Sequence, residues 1–276
     1  MVRMNNRHEL FAQIQAKESC LCVGLDPDIQ RIPAVCGEGV EAMEVFCKSI
    51  VDATHDLAVA FKPNLAFFEQ YGEEGWAALK RIIAHIPDEC LVIADAKRGD
   101  IGNTAKRYAQ AMFNGLGAHA ITVAPYMGAD SVRPFMEGYE NQWTILLALT
   151  SNSGADDFEF HGSPPLFERV LTRAQEWGSP DQLMFVVGAT RPESIARARE
   201  LAPGNFFLVP GVGAQGGDLS AVLHAGWNDQ CGLLVNASRS ILYASKEVDF
   251  ASAARTAASQ LQSDMAAIIR EKQLAR

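Results

Sequence analysis

The sequence alternates eight times between a short apolar run and a stretch with helical periodicity, and this alternation restricts the chain to few folds. Short runs rich in Val, Ile, Leu and Phe predict buried strands, whereas segments such as 39–55 and 168–177 have the spacing of amphipathic helices. The predicted strands are residues 20–25, 58–62, 91–95, 120–124, 144–149, 183–188, 206–210 and 232–236. Regular alternation of this kind predicts an α/β protein with a parallel sheet.

The number of strands favours one architecture within that class. Eight strand–helix units is the count of a closed (β/α)₈ TIM barrel, whereas an open doubly wound sheet more often has about five to seven strands. The first strand ends in GLDPD rather than G-x-G-x-x-G, so the sequence does not favour a dinucleotide-binding sheet. At 276 residues the chain has the length of one barrel. We therefore predict a single domain over 1–276, with an N-terminal helix and a C-terminal helix over 246–273.

In such a barrel the chemistry lies at the C-terminal ends of the strands. That rule selects a set of polar positions independently of any known relative. They are Asp26, Lys62, Asn64, Asp95, Lys97, Thr150, Ser151, Asn152, the segment 211–217, Ser238 and Arg239. The end of strand 4 offers little beyond Pro125 and Tyr126.

A charged cluster follows the third predicted strand, in the sequence DAKRGD. Asp95 and Lys97 are two residues apart, so they should share a face of the strand, and Asp100 follows about one turn later. Lys62 ends the second strand and adds another ammonium group. A run of this kind is often only a solvated loop, but four apolar residues precede it and small residues leave its charges room to converge. We therefore predict a functional network of alternating charges.

A glycine-rich segment, PGVGAQGGD, follows the seventh strand. Glycines let backbone N–H groups approach an anion closely, and barrels often bind a phosphate between strands 7 and 8. Arg239, just past strand 8, supplies a guanidinium suited to phosphate oxygens, and Gln215 adds an amide. A plain turn beside a surface arginine is the competing interpretation, and the position after strands 7 and 8 favours phosphate binding.

Charge and residue usage exclude several classes of partner. A net charge of −9 argues against nucleic acid and anionic membranes, which require clustered Lys and Arg. The six cysteines lie mostly in apolar runs without C-x-x-C spacing, so we expect reduced core residues. The charged N-terminus has no apolar signal segment, and no run approaches the ~18 residues of a membrane span, so we predict a cytoplasmic protein.

The histidines do not indicate a metal site. None of the six belongs to an H-x-x-x-H pair, and we assign none of them to catalysis or metal binding. His161 lies in the long segment 154–165, which is either a flexible cover or a plain surface excursion.

Together these motifs resemble the orotidine 5′-phosphate decarboxylase family. The motifs that carry the resemblance are FKPN at 61–64, DAKRGDIGNTA at 95–105, PGVGAQGGD at 210–218 and RSI at 239–241. The resemblance runs from strand 1 to strand 8 and leaves only the terminal helices outside it. The long segment 152–181 and the C-terminal tail are similar to those of the longer bacterial-type branch.

The resemblance implies a decarboxylation without cofactor or metal. Orotidine 5′-monophosphate would lose CO₂ from C6 and give uridine 5′-monophosphate, the last step of de novo pyrimidine synthesis. The family's alternating tetrad would be Lys62, Asp95, Lys97 and Asp100, with Lys97 as the proton donor. Asp95 would lie beside the departing carboxylate while Lys97 stabilises charge developing on C6.

The same resemblance implies a set of substrate-binding residues. Asp26 would bind the ribose hydroxyls, Ser151 the pyrimidine amide edge, and Gln215 with Arg239 the phosphate. Thr150 and Asn152 are open alternatives to Ser151, because a shift of one residue changes which side chain faces the site. The motifs also assign Asn64, Thr150, Pro210 and Gly216 to substrate binding. The loop after strand 7 and the segment 154–165 are the candidate lids.

The family is dimeric, and the resemblance implies that Asp100, Ile101 and Thr104 reach the partner's site. Two other functions remain open from the sequence. One is a magnesium-dependent sugar-phosphate decarboxylase that shares the Asp-x-Lys-x-x-Asp motif, although Lys62 stands where that family has an acidic metal ligand. The other is a barrel that binds a nucleotide or sugar phosphate without catalysis.

Overall fold

A computed structural model describes residues 6–212 and 217–274, and its strands form a closed parallel barrel. Each strand pairs with the next along the chain, and the last pairs with the first. The strands are β1 (Leu21–Leu25), β2 (Ala60–Pro63), β3 (Leu91–Arg98), β4 (Ala120–Val123), β5 (Trp143–Leu149), β6 (Leu183–Val187), β7 (Phe207–Pro210) and β8 (Leu233–Ala237). The predicted (β/α)₈ fold class is confirmed, and every predicted strand end lies within three residues of the observed one.

Helices surround the barrel because each returns the chain to the N-terminal end of the next parallel strand. They are α1 (Arg7–Lys17), α2 (Gly39–Thr54), α3 (Ala66–Glu69), α4 (Gly72–Ile83), α5 (Gly102–Gln110), α6 (Ala129–Val132), α7 (Ala155–Phe158), α8 (Leu166–Ala174), α9 (Pro192–Leu201), α10 (Leu219–Gly226), α11 (Arg239–Leu242) and α12 (Phe250–Leu274). A π-helical turn, Ala111–Gly115, extends α5, and 3₁₀ turns lie at Ile29–Arg31, Ala34–Cys36 and Arg133–Phe135. The buried side chains form one continuous core through the barrel and beneath the helices.

The C-terminal helix begins at Phe250, four residues later than predicted, because a turn precedes it. The Ser245 hydroxyl accepts the N–H of Glu247 at 3.1 Å and lies 2.5 Å from the Asp249 carboxylate. These local bonds compete with helical pairing. The helix then packs on α2, where Arg255 forms a two-pronged ion pair with Asp56 at 2.7 and 2.8 Å.

A buried arginine forms hydrogen bonds to loops on the N-terminal side of the barrel. Arg199, in α9, is only 9% exposed and lies over the Phe207 ring at 3.9 Å. Its guanidinium donates to the backbone carbonyls of Ala202, Asn205, Gly226 and Gly232 at 2.7–2.9 Å. Burial lowers the pKa of Arg199 to about 10, so the group is still charged at neutral pH. One cation therefore satisfies carbonyls from two separate connections, the one between α9 and β7 and the one between α10 and β8.

Two further features concern the cysteines and the helices. All six cysteines are buried and unpaired, as predicted. Within residues 6–212 and 217–274, no helix is both long enough and apolar enough to cross a bilayer.

Candidate active site

The third strand does not run straight into the charged cluster. Ala94 pairs with Ile121 and Arg98 pairs with Val123, so three residues of β3 stand opposite one residue of β4. Such a bulge re-aims side chains at the rim of a barrel. Lys97 lies within it and has a positive φ of 45°, in the left-handed region that a residue with a side chain seldom adopts. The predicted proximity of Asp95 and Lys97 is confirmed, although an irregular backbone rather than regular strand alternation produces it.

Thr122 is the single residue opposite the bulge. Its hydroxyl accepts the backbone N–H of Lys97 at 2.9 Å and donates to Asp95 Oδ1 at 3.0 Å. Thr122 lies within β4 and not past its end, so the rule that selects polar residues at strand ends did not find it. Thr122 is the only hydroxyl-bearing residue in the apolar run of β4, and that contrast was the available signal. Its role depends on the bulge, which the sequence pattern does not show.

Lys62, Asp95 and Lys97 form a continuous chain of charges. Asp95 Oδ2 lies 2.7 Å from Lys62 Nζ, and Asp95 Oδ1 lies 2.6 Å from Lys97 Nζ. Burial alone would raise the pKa of Asp95, but the two ammonium groups outweigh it and bring the pKa well below its ordinary value. Burial would likewise lower the pKa of Lys62, yet Asp95 and Asp26 raise it. Asp95 and Lys62 are therefore both charged at neutral pH.

The two remaining predicted carboxylates differ in their contact with this chain. Asp26 Oδ1 lies 4.0 Å from Lys62 Nζ and has no hydrogen bond to any described residue, although it is buried. Asp100 accepts the N–H of Ile101 at 2.8 Å, and no ion pair joins it to Lys62 or Lys97 among the described residues. Within one chain the structure brings together three members of the predicted tetrad.

Two cavities meet at the charged chain. One, of about 230 Å³, is lined by Lys62, Asp95, Lys97, Thr122, Ser151 and Pro210, among others. The other, of about 170 Å³, is lined by Asp26, Lys62, Asn64, Asp95, Pro210 and Arg239, among others. Lys62, Asp95 and Pro210 border both cavities, so the charges form the boundary between two compartments of one site.

The other predicted residues lie around these compartments. Ile101 and Thr104 are exposed where α5 begins. Arg239 is the exposed first residue of α11 and borders the smaller cavity. Gln215 and Gly216 lie outside the described residues, so their predicted contacts remain predictions.

The three candidate residues after β5 differ in whether their side chains already form hydrogen bonds within the protein. The Thr150 hydroxyl lies 2.7 Å from the Asn152 side-chain oxygen and 2.8 Å from Glu159 Oε1. Ser151 makes no side-chain hydrogen bond within the described residues, and it lines the larger cavity with Thr150 and Asn152. Ser151 therefore has the hydroxyl that is available to a ligand.

Comparisons with known proteins identify the family. The family model described as orotidine 5′-phosphate decarboxylase / HUMPS matches residues 19–254. An orotidine 5′-phosphate decarboxylase of Parabacteroides distasonis is 50% identical over 274 residues, 97% of each chain, and that of Flavobacterium johnsoniae is 51% identical over 269 residues, 96% of this chain and 98% of its own. The solved OMP decarboxylase of Leishmania donovani superposes with a TM-score of 0.84 at 41% identity, covering 96% of this chain and 99% of its own. The chain therefore belongs to the orotidine 5′-phosphate decarboxylase / HUMPS family.

Proposed function

We propose that this protein decarboxylates orotidine 5′-monophosphate to uridine 5′-monophosphate and CO₂ in pyrimidine biosynthesis. The observation that carries the proposal is the Lys62–Asp95–Lys97 chain of charges at the boundary of two cavities. The base would occupy the larger cavity, and the ribose and phosphate the smaller one. The unpaired cysteines support work in a reducing compartment, the cytoplasm.

The reaction requires a group that stabilises the negative charge developing on C6 of the substrate, and a proton donor that neutralises this charge. The bond between C6 and the carboxylate breaks, its electron pair stays on C6, and CO₂ leaves. Lys97 stabilises that pair and then transfers a proton to C6, after which the neutral amine regains a proton from water. A preformed ammonium at this position needs no reorganisation during the step, which is the efficient form of electrostatic catalysis.

Asp95 contributes through repulsion and through orientation. A substrate carboxylate about 4 Å from a second carboxylate is destabilised by about 4 kcal/mol at an effective dielectric constant near 20, and loss of CO₂ relieves that repulsion. Asp95 remains ionised because Lys62 and Lys97 lower its pKa. Both Asp95 oxygens already contact ammonium groups, so the carboxylate is fixed in place.

The remaining contacts would bind the nonreacting parts of the substrate. Asp26 Oδ1 is a buried acceptor without a hydrogen-bond partner among the described residues, which supports a role with the ribose hydroxyls. Arg239 and Gln215 are assigned to the phosphate, Ser151 to the base, and Asn64, Thr150, Pro210 and Gly216 to the walls. Remote contacts of this kind can supply binding energy that orients the reacting carbon.

Metal removal tests the reaction directly. We expect the purified protein to consume orotidine 5′-monophosphate, followed as ultraviolet absorbance loss, at the same rate with and without excess EDTA. The physical reason is that Lys62 and Lys97 supply the positive charge that a metal ion would otherwise supply.

Two other results would change the assignment. Turnover of a sugar phosphate that requires magnesium would indicate the related metal-dependent reaction. Tight binding of uridine 5′-monophosphate without any turnover would indicate a binding protein.

We further propose a homodimer in which Asp100, Ile101 and Thr104 enter the partner's site. Exposed apolar side chains support this: Ile101 is 55% exposed, Tyr126 91% and Met127 44%. Met127 lies close to Gly99, the neighbour of Asp100, so the apolar patch adjoins the charged cluster. Patches of this kind mark interaction surfaces. An Asp100 from a second copy would supply the fourth charge of the network.

Subunit mixing tests the shared site. We expect Lys97→Ala and Asp100→Ala, each inactive alone, to regain about a quarter of wild-type activity when mixed under exchange. Half of the dimers would be hybrids, and each hybrid would have one intact site out of two. The recovery is measured as orotidine 5′-monophosphate turnover against mixing time.

A second pair serves as the control. Lys97 and Asp95 come from the same chain, so mixing Lys97→Ala with Asp95→Ala should give no recovery. If the first pair also fails to recover although mass spectrometry detects hybrids, Asp100 does not act in the partner's site.

A further inference from the structure

The loop after β5 is fixed by a carboxylate that sequence reasoning did not select. Glu159 follows α7 and is half buried. Its Oε2 accepts the backbone N–H of Thr150 at 2.7 Å, and its Oε1 lies 2.8 Å from the Thr150 hydroxyl. Both oxygens of one side chain therefore contact the residue that precedes Ser151.

The backbone at this point needs such a partner. The pairing of β5 with β6 is irregular between Leu147 and Leu149, and β5 ends at Leu149. The N–H of Thr150 consequently has no place in the strand ladder, and an unpaired buried N–H is unfavourable. Hydrogen bonds to a charged acceptor are about twice as strong as neutral ones. Glu159 thus holds the chain where regular pairing stops.

The next peptide, which joins Thr150 to Ser151, is also constrained. A Cβ added to Gly188, just past β6, would lie 2.9 Å from both Ser151 N and Ser151 Cα. Only glycine allows this approach without a shift of the backbone. The two successive peptides on either side of the Thr150 Cα are therefore constrained, the first by the Glu159 carboxylate and the second by Gly188.

Glu159 is itself anchored on both sides. Asp156 pairs with Arg191 at 2.7 Å, and the Arg191 guanidinium lies 4.3 Å from the Phe160 ring centre. The backbone carbonyl of Glu159 accepts the N–H of Phe167 at 2.9 Å. The segment 154–165 therefore packs against the loop after β6. A plain surface excursion would lack such contacts.

We propose that Glu159 is a positioning residue for recognition of the base: its carboxylate fixes Thr150 and thereby places the Ser151 hydroxyl at the cavity that contains Lys97. This rests on the proposed function, since it assumes that the larger cavity receives the pyrimidine. Glu159 acts through Thr150 and Ser151 and contacts no reacting atom. Its influence is confined to the base compartment, because the smaller cavity shares none of the β5 residues.

Two ligands separate positioning from general damage. We expect Glu159→Ala to weaken binding of uridine 5′-monophosphate by at least about tenfold, the effect of losing a charged hydrogen bond, and to change binding of ribose 5-phosphate by less than about twofold. Both affinities are measured by calorimetry. Equal weakening of the two ligands, or no weakening of uridine 5′-monophosphate, would overturn the proposal.

Matched variants sharpen the result. Glu159→Gln retains an acceptor for the Thr150 N–H and a donor for its hydroxyl, so its affinities should stay within about threefold of wild type. Asp157→Ala removes an exposed carboxylate two residues away and should change neither affinity. If Glu159→Ala does not fold, Thr150→Val, which removes only the hydroxyl contact, should show the same ligand selectivity with a smaller loss.

A double-mutant cycle tests the route through Ser151. In Ser151→Ala the base contact is already absent, so adding Glu159→Ala should weaken uridine 5′-monophosphate binding by less than about twofold further. Additive losses would overturn the proposed route. Wild-type turnover of orotidine 5′-monophosphate is measured in the same preparation. Its absence would count against the proposed function, whereas the ligand selectivity judges Glu159 separately.

Discussion

Replacing Lys97 by alanine is expected to lower kcat for orotidine 5′-monophosphate by at least about 10³-fold while changing the affinity for uridine 5′-monophosphate by less than about tenfold. A positioned proton donor contributes about 10² to 10⁴ in rate, and stabilisation of developing charge adds to it. The Lys97 side chain is 52% exposed, so its loss should not disturb folding. Kinetics by absorbance and product affinity by calorimetry measure the two quantities.

The control for this prediction is another lysine of the same region. Lys106, in α5, is 60% exposed and pairs with Glu137 at 3.7 Å, so Lys106→Ala should retain nearly full turnover. Wild-type reaction in D₂O should place one deuterium at C6 of the product, because the Lys97 ammonium exchanges with solvent. Retention of more than a tenth of the activity in Lys97→Ala would show that the proton has another source.

Replacing Arg199 by leucine is expected to lower the free energy of unfolding by about 3–5 kcal/mol, the range observed when one partner of a buried charged contact is removed. The substitution leaves the buried carbonyls of Asn205 and Gly226 without a donor among the described residues, whereas those of Ala202 and Gly232 each keep a backbone N–H. An unpaired buried polar group carries its full desolvation cost of about 1–3 kcal/mol. Urea titration at fixed protein concentration measures the change.

The neighbour Arg197 supplies the matched control. It is 45% exposed and pairs with Glu168 and Glu200 at 2.9 Å, so Arg197→Leu should cost less than about 1 kcal/mol. Turnover by folded Arg199→Leu should stay close to wild type, because Arg199 binds loops on the side of the barrel away from the active site. Equal stabilities of the two variants would contradict the role assigned to Arg199.

The barrel could be predicted from the sequence because its strands are buried on both faces and appear as uninterrupted apolar runs. The charges of Lys62, Asp95 and Lys97 stood out for the same reason: each comes at or just after the end of such a run. Strand 3 was extended by three residues relative to the prediction, since polar residues within a bulge do not resemble a strand.

What the sequence pattern missed depends on contacts between distant segments. Thr122 has a role only because the bulge of β3 faces it, and Glu159 only because its segment folds back to Thr150. In the sequence Arg199 resembles any other helical arginine, and only the fold places the loops at 202–205 and 226–232 around it. Periodicity reports which face of an element is buried, and it carries no information about which partner lies there.

The bulge in β3 also limits how the length of the chain can change. In uninterrupted pairing Arg98 would stand opposite Pro125, but it stands opposite Val123, so β3 contains two more residues than its partner across this stretch. Two is an even number, and strand side chains alternate with a period of two, so the residues after the bulge keep their original faces. A deletion of one of the three residues 95–97 would exchange inner and outer faces, whereas a deletion of two of them would restore a straight strand without the catalytic geometry. Within the bulge, the geometry of the site therefore depends on the number of residues as strictly as on their identity.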